Sequence, residues 1–151
     1  MEFLFCCCFL FCLGVHVYTD IKEMLLYDKV SLALAAVGLL RCFWQGTFSA
    51  AVLGSVVLGV MMLVIYYASH GGLGEGDVKL APVLGLWLGW QQGLVCLLLA
   101  FVSGALYGAL LWLLGKAQSK SALPFGPFLC GGGVAAYFYG AKLVAWYCQY
   151  I

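Results

Sequence analysis

Long apolar runs separated by short polar segments are the dominant pattern along this chain. A helix that crosses a bilayer needs about 20 predominantly apolar residues. The pattern predicts six helical segments, which run from about 2 to 18, 28 to 44, 48 to 69, 78 to 90, 92 to 115 and 124 to 148. The fourth is too short to cross alone unless the glycine-rich turn before it dips into the membrane. Irregular backbone at that depth persists only where it is buried in protein or lines a cavity. We therefore expect a cavity beside Asp77.

Composition places the whole chain in a membrane. Hydrophobic residues make up 66% of the sequence and charged residues 9%, with a mean hydropathy of +1.07. A soluble domain has about 45–50% apolar and about 25% charged residues. The net charge of +1 offers no basic patch for nucleic acid, which we exclude as a partner. No long linker or low-complexity tract divides the chain. We expect one membrane-embedded, all-α domain over residues 1–151, with lipid as its surroundings.

The basic residues predict an orientation. The first, third and fifth connections, with their helix-end neighbours, hold five lysines: Lys22, Lys29, Lys79, Lys116 and Lys120. The other side has only Arg41 and Lys142. The positive-inside rule then places those three connections in the cytosol and both chain ends outside. Tryptophans near predicted span ends, Trp87 among them, are expected to anchor the protein at the membrane interface.

The eight cysteines favour packing over chemistry. None belongs to a C-x-x-C pair of the zinc or redox type, and most lie in apolar runs. A thiol in such a run behaves as a small hydrophobic side chain. We favour this role over disulfides or metal ligation, and we expect neither a metal nor another cofactor.

The six acidic residues suggest a reactive site. All except Glu2 belong to the first and third connections, and Asp20 and Asp77 each stand where an apolar run meets its connection. A charge at the centre of a membrane helix costs roughly 2.5–3.5 kcal/mol, so such residues usually have a function. Two carboxyl groups held close together titrate as a pair, which suits general acid–base catalysis. Solvated loop charges or helix caps are the simpler interpretation, which we favour for Glu23, Asp28 and Glu75. For Asp20 the two interpretations are balanced, whereas for Asp77 we favour function.

Four segments of this sequence carry a family resemblance. Gly74-Glu75-Gly76-Asp77-Val78-Lys79-Leu80 resembles the G-x-G-D-x-K-L signature of the type IV prepilin peptidases, which are aspartic proteases of the bacterial membrane. The segments 20–22, 84–90 and 123–129 resemble, in the same order, the surroundings of the first catalytic aspartate, the L-G-x-W-L-G-W run and the I-P-F-G-P-F-L segment of that family. The resemblance covers roughly residues 17–138.

The resemblance implies an activity and roles for particular residues. It implies that Asp20 and Asp77 form the catalytic pair of a membrane aspartic endopeptidase, with no metal. The substrates would be leader peptides of prepilin-like proteins, pilins or pseudopilins, cleaved at the cytosolic face of the bacterial inner membrane. Gly74 and Gly76 would shape a turn that lets a substrate strand approach.

Four further positions match the family. Pro124, Gly126 and Pro127 would form an irregular segment near the site, where backbone groups could meet an extended substrate; a plain kinked helix entry is the alternative. Lys79 matches a family position, and both lipid phosphate and a nearby acid are open as its partner.

Two departures from the family pattern change the expectation. Many members carry an N-terminal domain with paired C-x-x-C zinc motifs, linked to N-methylation of the cleaved product, and this sequence has no such pair. We therefore expect peptidase activity without methyltransferase activity. In addition, Tyr27 replaces the usual proline before Asp28, which creates a Tyr-Asp pair like that of presenilin-type proteases. That alternative would make Asp28 catalytic, and we discount it because no Pro-Ala-Leu motif follows.

Two classes of function compete with the protease. A small ion- or proton-coupled transporter could use Asp20, Asp77 and Lys79 as a relay, since intramembrane carboxylates are common in such proteins. A membrane assembly subunit is a third possibility. Cleavage of a leader peptide distinguishes the protease from both.

Overall fold

The chain folds into helices, as its apolar runs predict. The computed structural model describes residues 1–23, 26–70, 72–115 and 124–150, and every regular element in these ranges is helical. In chain order the helices are α1 (Glu2–Glu23), α2 (Asp28–Gln45), α3 (Phe48–Ala68), α4 (Glu75–Leu113) and α5 (Gly126–Cys148). The all-α prediction is confirmed.

The expectation of six spans is not confirmed. Within the described ranges, four helices are long and apolar enough to cross a membrane, namely α1, α3, α4 and α5. Helix α2 carries Asp28, Lys29 and Arg41 within 18 residues, which makes it more polar than the others. The fourth and fifth predicted segments are joined in the single assigned helix α4, because the chain resumes helical geometry immediately after one glycine.

That glycine is Gly89, which interrupts α4. Its backbone angles, φ 72° and ψ 176°, are not helical, so α4 consists of two helical segments that meet at a kink. Glycine adopts such positive φ values without the steric cost that a Cβ would bring. The 39 residues of α4 would extend about 58 Å at about 1.5 Å per residue if they were straight, which is longer than the roughly 30 Å hydrocarbon core.

Helix α4 is the centre of the bundle. It packs against α2, α3 and α5, while α1 packs against α2 and α5. Gly54 of α3 and Gly85 of α4 let these two backbones touch, since a Cβ on either residue would collide with the backbone of the other. Small residues of this kind permit close helix contacts where lipid provides no hydrophobic force between helices.

Trp87 is buried in the bundle and does not lie at the membrane interface. It was expected at the membrane interface, but it is only 4% exposed and belongs to the core of the bundle. Its indole Nε1 donates a hydrogen bond to the carbonyl oxygen of Leu34 at 2.9 Å, and its ring packs 4.8 Å from that of Phe9. A buried indole needs such a partner for its N–H group. Trp87 therefore ties α2 and α1 to α4.

Candidate active site

Asp20 lies in the last turn of α1 rather than in a loop. Helix α1 continues to Glu23, five residues beyond the predicted end, so Asp20 is held by helical backbone and is only 6% exposed. Its Oδ2 accepts a hydrogen bond at 3.0 Å from the backbone N–H of Gly126, the first residue of α5. The first N–H groups of a helix have no intrahelical partner and attract negative charge. The start of α5 therefore provides a fitting partner for this carboxyl group.

The sequence around Gly126 makes this contact possible. A Cβ on Gly126 would lie 2.5 Å from Oδ2 of Asp20, so a larger residue would displace the carboxyl group. Pro127 follows in the first turn of α5, where its missing N–H breaks no helical hydrogen bond. Pro124 lies just before Phe125, the residue that caps the helix. The backbone donor to Asp20 thus belongs to the first turn of the helix α5, and of the three positions expected in an irregular segment only Pro124 precedes this helix. Leu123, the first residue of the 123–129 segment that resembles the family, lies outside the described residues.

Asp77 lies in the first turn of α4 and is only 4% exposed. Its backbone N–H bonds to the carbonyl oxygen of Gly74 at 3.1 Å, which closes the turn at the start of the helix. Its Oδ1 is buried and has no hydrogen-bond partner among the residues that the structure describes. A buried acceptor without a partner is costly, and this often marks a functional site or a place for water. Oδ1 of Asp77 is therefore a candidate acceptor for water or another group.

Gly74 and Gly76 both have close neighbours. A Cβ on Gly74 would lie 3.0 Å from Oδ2 of Asp77. A Cβ on Gly76 would lie 2.8 Å from the Cβ of Leu26, which belongs to the connection between α1 and α2. The glycines were expected to let a substrate strand approach. In the structure, Leu26 of the same chain lies against Gly76 instead.

Asp20 and Asp77 line one cavity of about 680 Å³. They share this cavity although 57 positions separate them in the sequence. The cavity is bounded by the α1–α2 connection, the start of α2 and the start of α4, and its other lining residues are Leu26, Tyr27, Asp28, Lys29, Gly74, Glu75, Gly76 and Lys79. The cavity expected beside Asp77 is thus present, and it contains both predicted carboxylates.

Lys79 has an acidic partner at the edge of this cavity. Its Nζ lies 2.9 Å from Oδ2 and 3.2 Å from Oδ1 of Asp28. The side chains are 56% and 68% exposed, so water and salt screen the pair. Of the two partners left open by the sequence, the structure contains the nearby acid. Asp28, the catalytic residue of the presenilin-type alternative, thus lines the cavity as an exposed, paired group.

One buried polar contact near the site gave no recognisable signal in the sequence. His16, one turn before Asp20 on α1, is fully buried, and its Nε2 lies 3.3 Å from the hydroxyl of Ser31 on α2. A histidine inside an apolar run resembles an ordinary core residue, and only the packing of α1 against α2 reveals its partner.

The described residues contain no cluster of three or more His, Cys, Asp or Glu side chains able to hold a metal ion. All eight cysteines lie in the described ranges, and each is a free thiol. Lys116 and Lys120, which were used to predict the orientation, lie outside those ranges.

Comparison with known proteins gives the same family as the motifs. Residues 4–109, which include Asp20 and Asp77, match the model described as the type IV leader peptidase family. The chain is 35% identical over 141 residues to a prepilin leader peptidase/N-methyltransferase of Aeromonas salmonicida (strain A449), covering 89% of this chain and 48% of that protein.

Two further relatives carry the same name. The protein of Legionella pneumophila is 32% identical over 142 residues, covering 89% of this chain and 49% of the relative. That of Bacillus subtilis (strain 168) is 33% identical over 135 residues, covering 87% and 54%. The chain therefore spans about half the length of the curated relatives it matches. No solved structure matches it.

Proposed function

Because the chain belongs to the type IV leader peptidase family, we propose that it is a membrane aspartic endopeptidase that cleaves leader peptides of prepilin-like proteins, using Asp20 and Asp77. The observation that carries the proposal is the shared cavity: two buried carboxyl groups from distant parts of the chain line one space of about 680 Å³. The transporter alternative gains no support from the family match.

The arrangement suits activation of water by a carboxyl pair. Two neighbouring carboxyl groups in a desolvated site do not both ionise readily, so they hold one proton between them. The ionised group takes a proton from a water molecule, whose oxygen then attacks the carbonyl carbon of the peptide bond. The protonated group supplies a proton to the nitrogen as the C–N bond breaks. The products are a carboxylic acid and an amine, and the water is consumed.

The surroundings of the two aspartates are compatible with one carboxyl group acting as base and the other as acid. Asp20 is oriented by the N–H group of Gly126, and Asp77 keeps Oδ1 available for water or substrate. The family's proteases are membrane enzymes, and four helices within the described part of this chain are long and apolar enough to span a bilayer. We propose that the carboxylate cavity faces the cytoplasm of a bacterial inner membrane. Lys29 and Lys79 line the cavity, and basic residues favour the cytosolic side.

The proposal covers peptidase activity alone. The relatives are named as both peptidases and N-methyltransferases, but they are about twice as long as the segment matched here. The present sequence contains no C-x-x-C pair of the kind linked to methylation in the family. Pilins and pseudopilins are the proposed substrates.

The test is cleavage by the purified chain in detergent. A candidate prepilin is incubated with the wild type, with Asp20→Asn and with Asp77→Asn, and the shortened product is measured. General acid–base catalysis contributes at least about 100-fold, so each variant should lose at least that much rate. Asp28→Asn is the matched control, because Asp28 is a third carboxylate of the same cavity and should be dispensable.

Helical circular dichroism and gel-filtration profiles establish that the variants fold. Wild-type rates in folded Asp20→Asn or Asp77→Asn would refute the proposed mechanism. Loss of cleavage in Asp28→Asn with full activity in Asp20→Asn would instead favour the presenilin-type pair.

A further inference from the structure

A second cavity lies between the C-terminal end of α2 and the Gly89 kink of α4, away from the two aspartates. Its volume is about 410 Å³, and its polar lining comes from Arg41, Gln45, Thr47, Gln92 and Tyr137. Arg41 follows Asp28 by thirteen residues along α2, which corresponds to about 20 Å at about 1.5 Å per residue. The two cavities share no lining residue. This second cavity, which we call the arginine cavity, is therefore separate from the proposed active site.

Arg41 is fixed by contacts with its neighbours, and several of its N–H groups make no hydrogen bond to the described residues. Its Nη1 donates to the carbonyl oxygen of Trp87 at 3.0 Å, and its guanidinium carbon lies 5.5 Å and 5.6 Å from the ring centres of Trp87 and Tyr137. Its Nε is buried without a hydrogen-bond partner in the described part of the chain. A guanidinium has five N–H donors, and its planar fork matches carboxylate and phosphate oxygens. Several donors are thus available to a ligand.

The charge of the cavity favours an anion. Among its lining residues, all of which the structure describes, Arg41 is the only charged side chain, and its neighbours include the amides of Gln45 and Gln92. Gly89 also lines the cavity, and α4 restarts directly after it. The first N–H groups of the restarted segment carry the positive end of its dipole. This contribution adds to that of the guanidinium.

A carboxylate of the chain already contacts two of the lining residues from outside the cavity. Glu2, in the first turn of α1, accepts a hydrogen bond from Nε2 of Gln45 at 2.8 Å, and its Oε2 lies 3.7 Å from Nε of Arg41. The Glu2 side chain is 58% exposed and is not part of the cavity lining, so the ion pair is loose and solvated. Arg41 and Gln45 therefore already contact one carboxylate, which would compete with an anion in the cavity.

The position of the arginine cavity relative to the membrane indicates which kind of anion it would meet. Phe43 and Trp44, at the same end of α2, are 72% and 69% exposed. Tryptophan is enriched at the level of the lipid headgroups, and Glu2, at the start of the membrane-length helix α1, lies beside Arg41. We propose that the arginine cavity binds an oxyanion, and that the phosphate of an anionic phospholipid is the occupant its location favours. Free phosphate has the same chemistry, and the test separates the two sources.

The experiment measures binding rather than cleavage, so its outcome is independent of the proposed peptidase. The full chain is purified in detergent and examined by native mass spectrometry with three probes: short-chain phosphatidylglycerol, phosphatidylcholine with the same acyl chains, and inorganic phosphate. Wild-type protein should retain phosphatidylglycerol in preference to phosphatidylcholine. Arg41→Gln should retain about tenfold less, because it loses charged hydrogen bonds to the phosphate.

Two further variants keep the test decisive. Lys142→Gln removes one positive charge from an exposed position on α5 outside the cavity, and it should bind like the wild type. Glu2→Gln keeps the arginine and removes the competing carboxylate, so it should retain more phosphatidylglycerol. This variant does not touch the cavity lining, and it tests the proposal even if Arg41→Gln fails to fold.

Each outcome of the binding experiment either supports or overturns the oxyanion site. Stronger binding of phosphatidylglycerol that depends on Arg41 supports the lipid phosphate. Arg41-dependent binding of inorganic phosphate without lipid preference supports the oxyanion site with the free anion as its source. Equal retention of the two lipids with no inorganic phosphate bound, or equal binding of every probe by the wild type and Arg41→Gln, overturns the proposal. A Glu2→Gln variant that binds no more of any anionic probe than the wild type overturns it as well.

Discussion

Gly126 donates its backbone N–H to Oδ2 of Asp20 at 3.0 Å, although 106 positions separate the two residues in the sequence. This bond joins the last turn of α1 to the first turn of α5. It also defines the orientation of a carboxyl group that lines the candidate active site. The contact requires that nothing larger than hydrogen occupies the side-chain position of Gly126.

Gly126→Ala should abolish most of the cleavage activity while the protein stays folded. The added Cβ would lie 2.5 Å from Oδ2 of Asp20, so the carboxyl group must move. A displacement of about 1 Å in a catalytic group can cost about 100-fold in rate. The rate of leader cleavage and the helical circular dichroism are the measurements.

Gly131→Ala is the matched control for this change, because a Cβ at Gly131 on the same helix meets no atom within 4 Å. It should cleave at the wild-type rate. If Gly126→Ala and Gly131→Ala are equally active, the bond to Asp20 has no catalytic importance.

Gly76→Ala should disturb the connection between α1 and α2. The new Cβ would lie 2.8 Å from the Cβ of Leu26, so one of the two segments must shift. Trimming Leu26 removes its outer carbon atoms but not the Cβ, so Leu26→Ala should relieve only part of the clash. We expect the double variant to be more stable than the sum of the single changes predicts, as contacting residues usually couple.

Thermal unfolding of the two single variants and the double variant measures this coupling. Gly14→Ala serves as a control helix glycine, since open space surrounds its Cβ position. Strict additivity of the two single effects would show that Leu26 and Gly76 do not pack against each other.

Gly89→Ala should destabilise the protein through backbone strain alone. The backbone angles of this residue, φ 72° and ψ 176°, lie in a region that is populated almost only by glycine and costs another residue about 1–3 kcal/mol, whereas the nearest atom to the new Cβ is 3.8 Å away. The midpoint of thermal unfolding should therefore fall relative to the wild type and to Gly131→Ala. An unchanged midpoint would contradict the kink in α4.

Lys79→Met should have little effect on either cleavage or stability. The pair that Lys79 forms with Asp28 is more than half exposed on both sides, and exposed pairs of this kind contribute little because water and salt screen them. The cleavage rate and the unfolding midpoint should stay close to those of the wild type at low and at high salt. A large loss of cleavage would show that Lys79 contacts the substrate, and the Asp28→Asn variant identifies any contribution of the pair itself.

The sequence by itself determined the membrane class, the helical fold and the family. Apolar runs of sufficient length can satisfy their backbone hydrogen bonds in lipid only as helices, so run length predicts elements directly. The glycine-flanked Asp77 stood out because a charge between apolar runs is expensive. These signals are local, and they also located the break near residue 90, although they counted separate spans on its two sides.

Tertiary structure alone decided which side chains meet. In a membrane, the lipid-facing and protein-facing sides of a helix are both apolar, so the pattern of hydrophobic residues does not reveal which face is buried. Trp87 was therefore expected at the interface but is enclosed by α1, α2 and α4. The bond from Gly126 to Asp20, the packing of Leu26 on Gly76 and the arginine cavity all join segments that are distant in sequence. Such contacts depend on how the helices pack against one another, which no single run of residues specifies.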